Sequence, residues 1–247
     1  TMIIDSHVHI GKDKDGSSQN LSQILEVMDE SKINKAIIIP FNEINPGPTF
    51  KNANDLVIKA HKEHPDRIIG FARLDPYYGK EAYLELERMI NQGIKGLKLH
   101  PRSQAFLPDP NHPIIYSILD LLNTYNLPLL LHTDLVARNT NMAIVDKIAT
   151  KFPELKIIAA HAGKNDSNTV SVLQKHENVY IESSFASLIV LKKILIKLGA
   201  ERIIFGSDLP YSHPKIELAK LEILELSPSD KKKILSDNIL NLGLRFK

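Results

Sequence analysis

A chain of 247 residues, 43% hydrophobic and 24% charged, has ordinary globular composition and enough length to bury a large core. Its 31 basic and 29 acidic residues nearly cancel without a long basic block, so nucleic acid is not an expected partner; with no cysteine there is no disulfide framework and no thiolate to serve as nucleophile or metal ligand. No apolar run approaches a membrane span, the N-terminus enters a strand at once without a secretory leader pattern, Thr1 before Met2 reads as a cloning remnant, and the expected location is the cytoplasm.

Apolar, β-branched runs recur along the chain, each followed by a stretch with helical periodicity. The first predicted strand is 2–9, then a polar loop with Gly11 and Gly16, then a helix over 21–31 with Leu21, Leu25 and Met28 on one face. The run 36–40 is unbroken in its apolar character, as a strand buried on both faces requires. A loop at 42–49 carries Pro46, Gly47 and Pro48, and a helix follows near 52–64. The third strand is 68–74, with a helix at 80–91 closed by Gly93. The fourth is 94–100, followed by a proline-rich loop and a helix at 114–125. Strands at 128–133, 156–162, 179–184 and 202–207 complete the series. Between them lie helices at 142–152, up to 173, and at 188–198, with helical segments over 215–244. Eight strand–helix units of about thirty residues imply parallel pairing with right-handed crossovers. In this length they favour a closed (β/α)8 TIM barrel, one domain over 1–247, above an open doubly wound sheet, which lacks its Gly-rich turn here.

The chemistry starts at Asp5-Ser6-His7-Val8-His9. Alternation along a strand puts Asp5, His7 and His9 on one face, where two neutral imidazoles can share a metal ion. Four later strands end in matching groups: His100, His132, His161 and Asp208. Active sites of such barrels lie at the carboxyl ends of the strands, so closure gathers all of them at one mouth. Imidazoles and a carboxylate suit Zn²⁺, with Mn²⁺, Fe²⁺, Co²⁺ or Ni²⁺ also compatible.

Together with Lys98-Leu99-His100-Pro101, Leu131-His132-Thr133, His161-Ala162-Gly163, Gly206-Ser207-Asp208-Leu209-Pro210 and Asp237-Asn238-Ile239-Leu240, that opening motif resembles the amidohydrolase superfamily, over the whole chain. More narrowly it is similar to the amidohydrolase-related branch, which also contains non-oxidative decarboxylases. The resemblance implies that His7, His9, His132 and Asp208 hold the metal and that His161 faces the water or the substrate. The chain is short for that branch, so substrate-capping insertions are expected to be missing.

A metal-activated water is then the expected nucleophile, with Asp208 shuttling its proton and His161 steering the water or stabilising developing charge. Asp5 is expected either to orient a ligand or to cap the barrel floor. His100 binds a substrate carboxylate, supports a ligand, or caps a strand. Lys98 is either paired with an acid, the preferred reading, or carbamylated to bridge a second metal. Phe41, Arg73, Arg102, Asp134, Arg138, Lys164 and Tyr211 lie just beyond strand ends and are candidates to face substrate, with Arg102 the best carboxylate or phosphate clamp. His61, His64, His112, His176 and His213 are expected at the surface. The function expected is a metal-dependent hydrolase of a small-molecule amide, ester or lactone-type bond. The alternatives are a metal-dependent non-oxidative decarboxylase of a small carboxylic acid and a non-catalytic metal-binding protein. The helix at 188–198 is apolar on most of its circumference, which points to cover by the C-terminal helices or to a homodimer contact.

Overall fold

The computed structural model describes residues 1–43, 47 and 49–246. Pro46 and Pro48 of the loop expected at 42–49 lie outside the described residues. Strand β1 (Ile4–Lys12) carries a two-residue antiparallel partner, β2 (Ser18–Gln19), which reads as loop in the sequence. The barrel staves that follow are β3 (Lys35–Pro40), β4 (Ile68–Gly70) with β5 (Ala72–Arg73), β6 (Leu97–Leu99), β7 (Leu129–His132), β8 (Ile157–Ala160), β9 (Val179–Glu182) and β10 (Ile203–Ile204). The staves pair in parallel in the orders β1-β3-β4 and β10-β9-β8-β7-β6-β5, with β2 antiparallel on the free edge of β1.

Two junctions turn these sheets into one closed barrel. At Phe71 the third stave leaves β3 and joins β6: Phe71 donates to the Ile38 carbonyl at 2.9 Å and Ala72 to the Gly96 carbonyl at 2.9 Å. At the other seam Ser6 N–H donates to Phe205 O at 3.1 Å and His9 N–H to Leu209 O at 2.9 Å. The (β/α)8 TIM barrel read from the periodicity is the fold observed.

Alternation sorts the strand residues into two layers. Ala36, Ile38, Leu129, Leu131, Ile157 and Ala159 pack outward against the helices, while Ile37, Ile39, Leu130, Ile158 and Ala160 fill the interior. Ile239, Leu242 and Leu244, at the C-terminal end of the chain, join the interior cluster. They close the barrel floor near the start of β3, where Lys35 Nζ sits 4.7 Å over the Phe246 ring. The helices α1 (Leu21–Glu30), α2 (Lys51–Glu63), α3 (Lys80–Asn91), α4 (Pro113–Thr124), α5 (Met142–Lys151), α6 (Thr169–Lys175), α7 (Leu188–Leu198) and α8 (Pro214–Ile223) line the outside. Short segments α9 (Pro228–Lys232) and α10 (Asn238–Asn241) follow. On α7 only Leu191 and Ile194 are fully buried, while Ile189 and Ile196 are 67% and 80% exposed. The C-terminal helices therefore do not cover its outer face.

One expectation about β1 is corrected. A register shift between Asp5 and Val8 inserts an extra residue opposite β3. Ile4 packs in the interior cluster, yet Val8 and Ile10 pack in the outer one. The parity of the strand has flipped between them, so Asp5 does not share the inward face of His7 and His9. Without that bulge, Ile4 and His7 could not both point inward.

Candidate metal centre

The mouth of the barrel holds a cavity of about 370 Å³, into which His7, His9, Lys98, His132, His161 and Asp208 converge. Three local features place them. His7 and His9 alternate inward beyond the β1 bulge. Lys98 and His132 take the inward positions of β6 and β7, between outward Leu97 and Leu99 and after outward Leu131. His161 and Asp208 lie beyond β8 and β10 on left-handed backbone, with φ of 65° and 58°. Residues 161–165 all have positive φ, a left-handed turn that costs energy in every non-glycine residue. It is held by Gly163 N–H donating to Thr133 Oγ1 at 2.9 Å and Thr169 Oγ1 donating to the Ala162 carbonyl at 3.0 Å. This turn replaces the end of the strand expected over 156–162.

Asp208 is the hub. Its Oδ1 lies 2.8 Å from His9 Nε2 and 3.1 Å from His7 Nε2, and its Oδ2 is 4.0 Å from His161 Nε2. His161 Nε2 is in turn 3.1 Å from His132 Nδ1. Asp5 works from below. Its carboxylate accepts the backbone N–H of Ser207 at 2.9 Å, the Ser207 hydroxyl and the N–H of His7 at 3.2 Å. It therefore ties the loop that carries Asp208 to the strand that carries the histidines. Burial pushes the Asp5 carboxyl up to about 7.

The outer nitrogens fix which face of each imidazole bears a proton. His7 Nδ1 donates to Glu182 Oε2 at 2.9 Å, His132 Nε2 to Asp134 Oδ2 at 3.0 Å, and His161 Nδ1 to the Ser184 carbonyl at 3.2 Å. Carboxylates and carbonyls only accept, so these three nitrogens carry the hydrogens. In the neutral rings the inward nitrogens are then bare lone pairs. Burial lowers the basicity of His7, His9 and His132, and of His161 down to about 3, so the rings are neutral near pH 7. Burial alone would raise Asp208, but the electrostatic pull of the histidine cluster, His7 first, and the hydrogen bond donated by His9 Nε2 outweigh it and hold the carboxyl well below its usual range, ionised.

Two inward lone pairs, His132 Nδ1 and His161 Nε2, face each other at 3.1 Å with no proton between neutral rings. The His9 Nδ1 has no partner at all. Donor atoms of His7, His9 and Asp208 lie within 4.8 Å of one another, as do those of His7, His161 and Glu182. Unprotonated imidazole nitrogens that face one another beside an ionised carboxylate are what a divalent cation requires and what a metal-free cluster would avoid. The donor set fits a metal.

Several sequence expectations land elsewhere. Lys98 is fully buried, and its Nζ lies 3.0 Å from His7 Nε2. Among the described residues no carboxylate pairs with Lys98, so the preferred acid-paired reading gives way; burial lowers it to about 7. His100 stacks on His132 with ring centroids 3.7 Å apart, and its Nδ1 accepts the Ser103 N–H at 3.3 Å. It therefore supports the His132 ring. Arg102 pairs with Asp134 at 2.9 Å at the cavity rim, which ties both to the His132 side. Phe41 is fully buried and stacks on His9 at 5.0 Å, and Tyr211 meets both rings edge-on. Arg73 is the buried cation of the wall: one guanidinium nitrogen donates to the Pro40 carbonyl at 3.0 Å and its Nε has no partner. Lys164 reaches the rim over the Phe185 ring, while Arg138 is exposed on its loop. His176, expected at the surface, is buried, with Nε2 2.6 Å from Asp146 Oδ1. Glu182 and Ser184, at and just beyond the end of β9, belong to no motif of the sequence. The signal for Glu182 was an acid in the same parity as Tyr180, the inward parity of β9.

An eight-stave barrel with imidazoles and a carboxylate at the carboxyl ends of its strands defines a metal-dependent barrel enzyme as a class. Within that class, the chain belongs to the amidohydrolase family, whose model matches residues 4–242. No curated protein matches the sequence significantly. Solved structures resemble it over their whole length at low identity. A TIM-barrel protein of Bordetella bronchiseptica aligns with a TM-score of 0.80 at 16% identity, covering 98% of each chain. A probable 2-pyrone-4,6-dicarboxylic acid hydrolase of Acinetobacter baumannii gives 0.76 at 17% identity, covering 99% of this chain and 100% of that one. A dihydroxybenzoic acid decarboxylase of Polaromonas sp. JS666, solved with manganese and 2-nitroresorcinol, gives 0.76 at 20%, covering 98% and 96%. The chain is thus an enzyme of a family acting on small molecules, and the non-catalytic reading is dropped. A divalent metal is supported by the family and by the histidine-rich cluster. Among the described residues no helix is long and apolar enough to cross a membrane.

Proposed function

We propose that the protein is a metal-dependent hydrolase of a small-molecule amide, ester or lactone-type bond. The observation that carries this reading is the inward imidazole nitrogens of His7, His9 and His161 around the ionised Asp208, with His132 Nδ1 3.1 Å from His161 Nε2. His7, His9, His132 and Asp208 would hold the ion, with Zn²⁺ preferred and Mn²⁺, Fe²⁺, Co²⁺ or Ni²⁺ compatible with the same donors. When bound, a divalent cation supplies Lewis acidity, acidifying water and polarising a carbonyl.

The chain's own residues do the rest. Asp208 Oδ1 faces the ligand imidazoles, which leaves Oδ2 to take a proton from the attacking water and return it to the leaving group. His161, held as the Nδ1–H tautomer, presents Nε2 as an acceptor and so orients the water; as a neutral ring it has no inward proton to offer an oxyanion. Arg73, buried with an unpartnered Nε in the cavity wall, would bind an anionic or carbonyl group of the substrate. Arg102 and Tyr211 would frame it from the rim, and Phe41 acts behind His9. The same residues serve the alternative, a non-oxidative decarboxylase, for which the buried Arg73 and Lys98 are suitable carboxylate partners. The exposed isoleucines of α7 support a homodimer through that face, which light scattering would refute by returning a monomer mass.

The test is a screen of zinc- and manganese-loaded protein against lactones, esters and amides, with carbon dioxide release followed in parallel. Hydrolysis that disappears in Asp208→Asn while some metal stays bound is the expected result. Carbon dioxide release without hydrolysis would move the assignment to the decarboxylase.

A further inference from the structure

Strand β9 ends in a carboxylate with no role in the scheme above. Glu182 is completely buried, and its charge-pair contacts within 4.0 Å among the described residues are the rings of His7 and His161. Its oxygens are saturated by donors. Oε2 accepts from His7 Nδ1 at 2.9 Å, from the Ser184 hydroxyl at 2.8 Å and, more weakly, from His161 N–H at 3.4 Å. Oε1 accepts the Ser184 N–H at 2.5 Å. Backbone closes on it from the other side, since a Cβ at Gly206 would lie 2.5 Å from Oε1. Ser184 has given its hydroxyl hydrogen to Glu182, so its Oγ, 2.9 Å away, shares the His161 Nδ1 hydrogen with the Ser184 carbonyl at 3.2 Å.

We propose that Glu182 is the positioning residue of this centre: one buried carboxylate orients His7 directly and His161 through the Ser184 hydroxyl, each with an unprotonated Nε2 turned inward. This rests on the reading of His7 as a metal ligand and of His161 as the residue facing water. A carboxylate behind a ligating imidazole fixes its tautomer and ring angle and raises its basicity. Here a single carboxylate reaches two rings with different tasks, so the ligand and the water-orienting group are set by one fixed point. Glu182 stands on the Nδ1 side of both rings, and four donors already fill its oxygens, which places it behind the imidazoles.

An amide cannot replace it. With the oxygen of Glu182→Gln toward His7, the amide NH₂ meets the Ser184 N–H; reversed, it meets His7 Nδ1–H. Either way a buried donor faces a donor.

The experiment uses the full chain and Zn²⁺ alone. It reads the zinc dissociation constant by competition with a chelating dye and the ring ¹⁵N shifts of the histidines. Glu182→Gln is expected to weaken zinc binding by about 10–100-fold and to disturb the ring signals of both His7 and His161. Glu182→Asp should recover part of both. Ser184→Ala should leave zinc affinity alone and move the His161 signals only. Wild-type affinity and ring signals in a folded Glu182→Gln would overturn the proposal, as would zinc loss as complete as in His7→Ala, which would make Glu182 a ligand. If Glu182→Gln does not fold, an unchanged His161 pattern in Ser184→Ala overturns it. Should His7→Ala itself bind zinc normally, the ligand reading is what fails, and the ring signals of Glu182→Gln still decide the positioning claim.

Discussion

The two ends of the barrel interior are built on the same staves and differ completely in chemistry. Toward the floor, Ile4, Ile37, Ile69, Leu130, Ile158 and Ile204 form a buried apolar cluster with Ile239, Leu242 and Leu244. At the mouth, His7, Arg73, Lys98, His132, His161 and Asp208 are packed into one cavity. Leu130 and His132 stand two residues apart on one inward face of one strand, and so do Phe71 and Arg73. The floor stabilises; the mouth concentrates groups that burial penalises and holds them with left-handed backbone and outer carboxylates. Burying neutral imidazoles and an ionised carboxylate is a cost that the apolar half must offset.

Mutations at the two ends should separate along this line. The largest effect is expected at the mouth: His7→Ala or His9→Ala should weaken zinc binding by more than about a hundredfold, with little change in the melting temperature of the metal-free protein. Metal titration followed by calorimetry reads both, and retained affinity would remove these residues from the ligand set. Next is the floor. Leu130→Ala, at a fully buried position, should cost about 2–5 kcal/mol in urea unfolding while the folded variant still takes up metal. A Leu130→Ala protein that is stable but metal-free would erase the division between the two ends.

A smaller effect sharpens the mouth itself. His161→Ala should keep its metal and lose about a hundredfold in turnover once a substrate is known, the loss expected for one orienting group. Metal loss equal to that of His7→Ala would instead place His161 among the ligands and bring Lys98 forward as a bridge to a second ion.

The smallest effect is a dependence on pH. The imidazoles of His7, His9, His100, His132 and His161 are all lowered by burial, His161 from 6.5 to about 3. Below pH 6.5 the unfolded chain binds protons that the folded one refuses, so stability present above that pH is lost as pH falls toward 3. Asp5, raised to about 7, acts in the opposite sense, since the folded state keeps its proton between 3.8 and 7, but five imidazoles outweigh one carboxyl. Thermal melts of metal-free protein should give a lower midpoint at pH 5 than at pH 7. A higher one would mean that the cluster is not neutral in the folded state.

Periodicity alone determined the eight strand–helix units, the closed barrel and the convergence of strand ends, because apolar alternation and parallel crossovers are local and chiral rules that few topologies satisfy. It also placed His7, His9, His132, His161 and Asp208 at one mouth, since residue type and position at a strand end are both written in the chain. What it did not contain was parity and partnership. The bulge in β1 flips Asp5 off the histidine face, and no residue type announces a bulge whose cause is pairing with β3. Lys98 meets an imidazole where an acid was expected, and Arg102 is taken by Asp134, because each contact joins staves distant in sequence. The tautomers of His7, His132 and His161 depend on Glu182, Asp134 and Ser184 standing behind them. Those distances exist only once the barrel has closed, and they decide whether a histidine at a strand end is a charged side chain or a lone pair aimed at a metal.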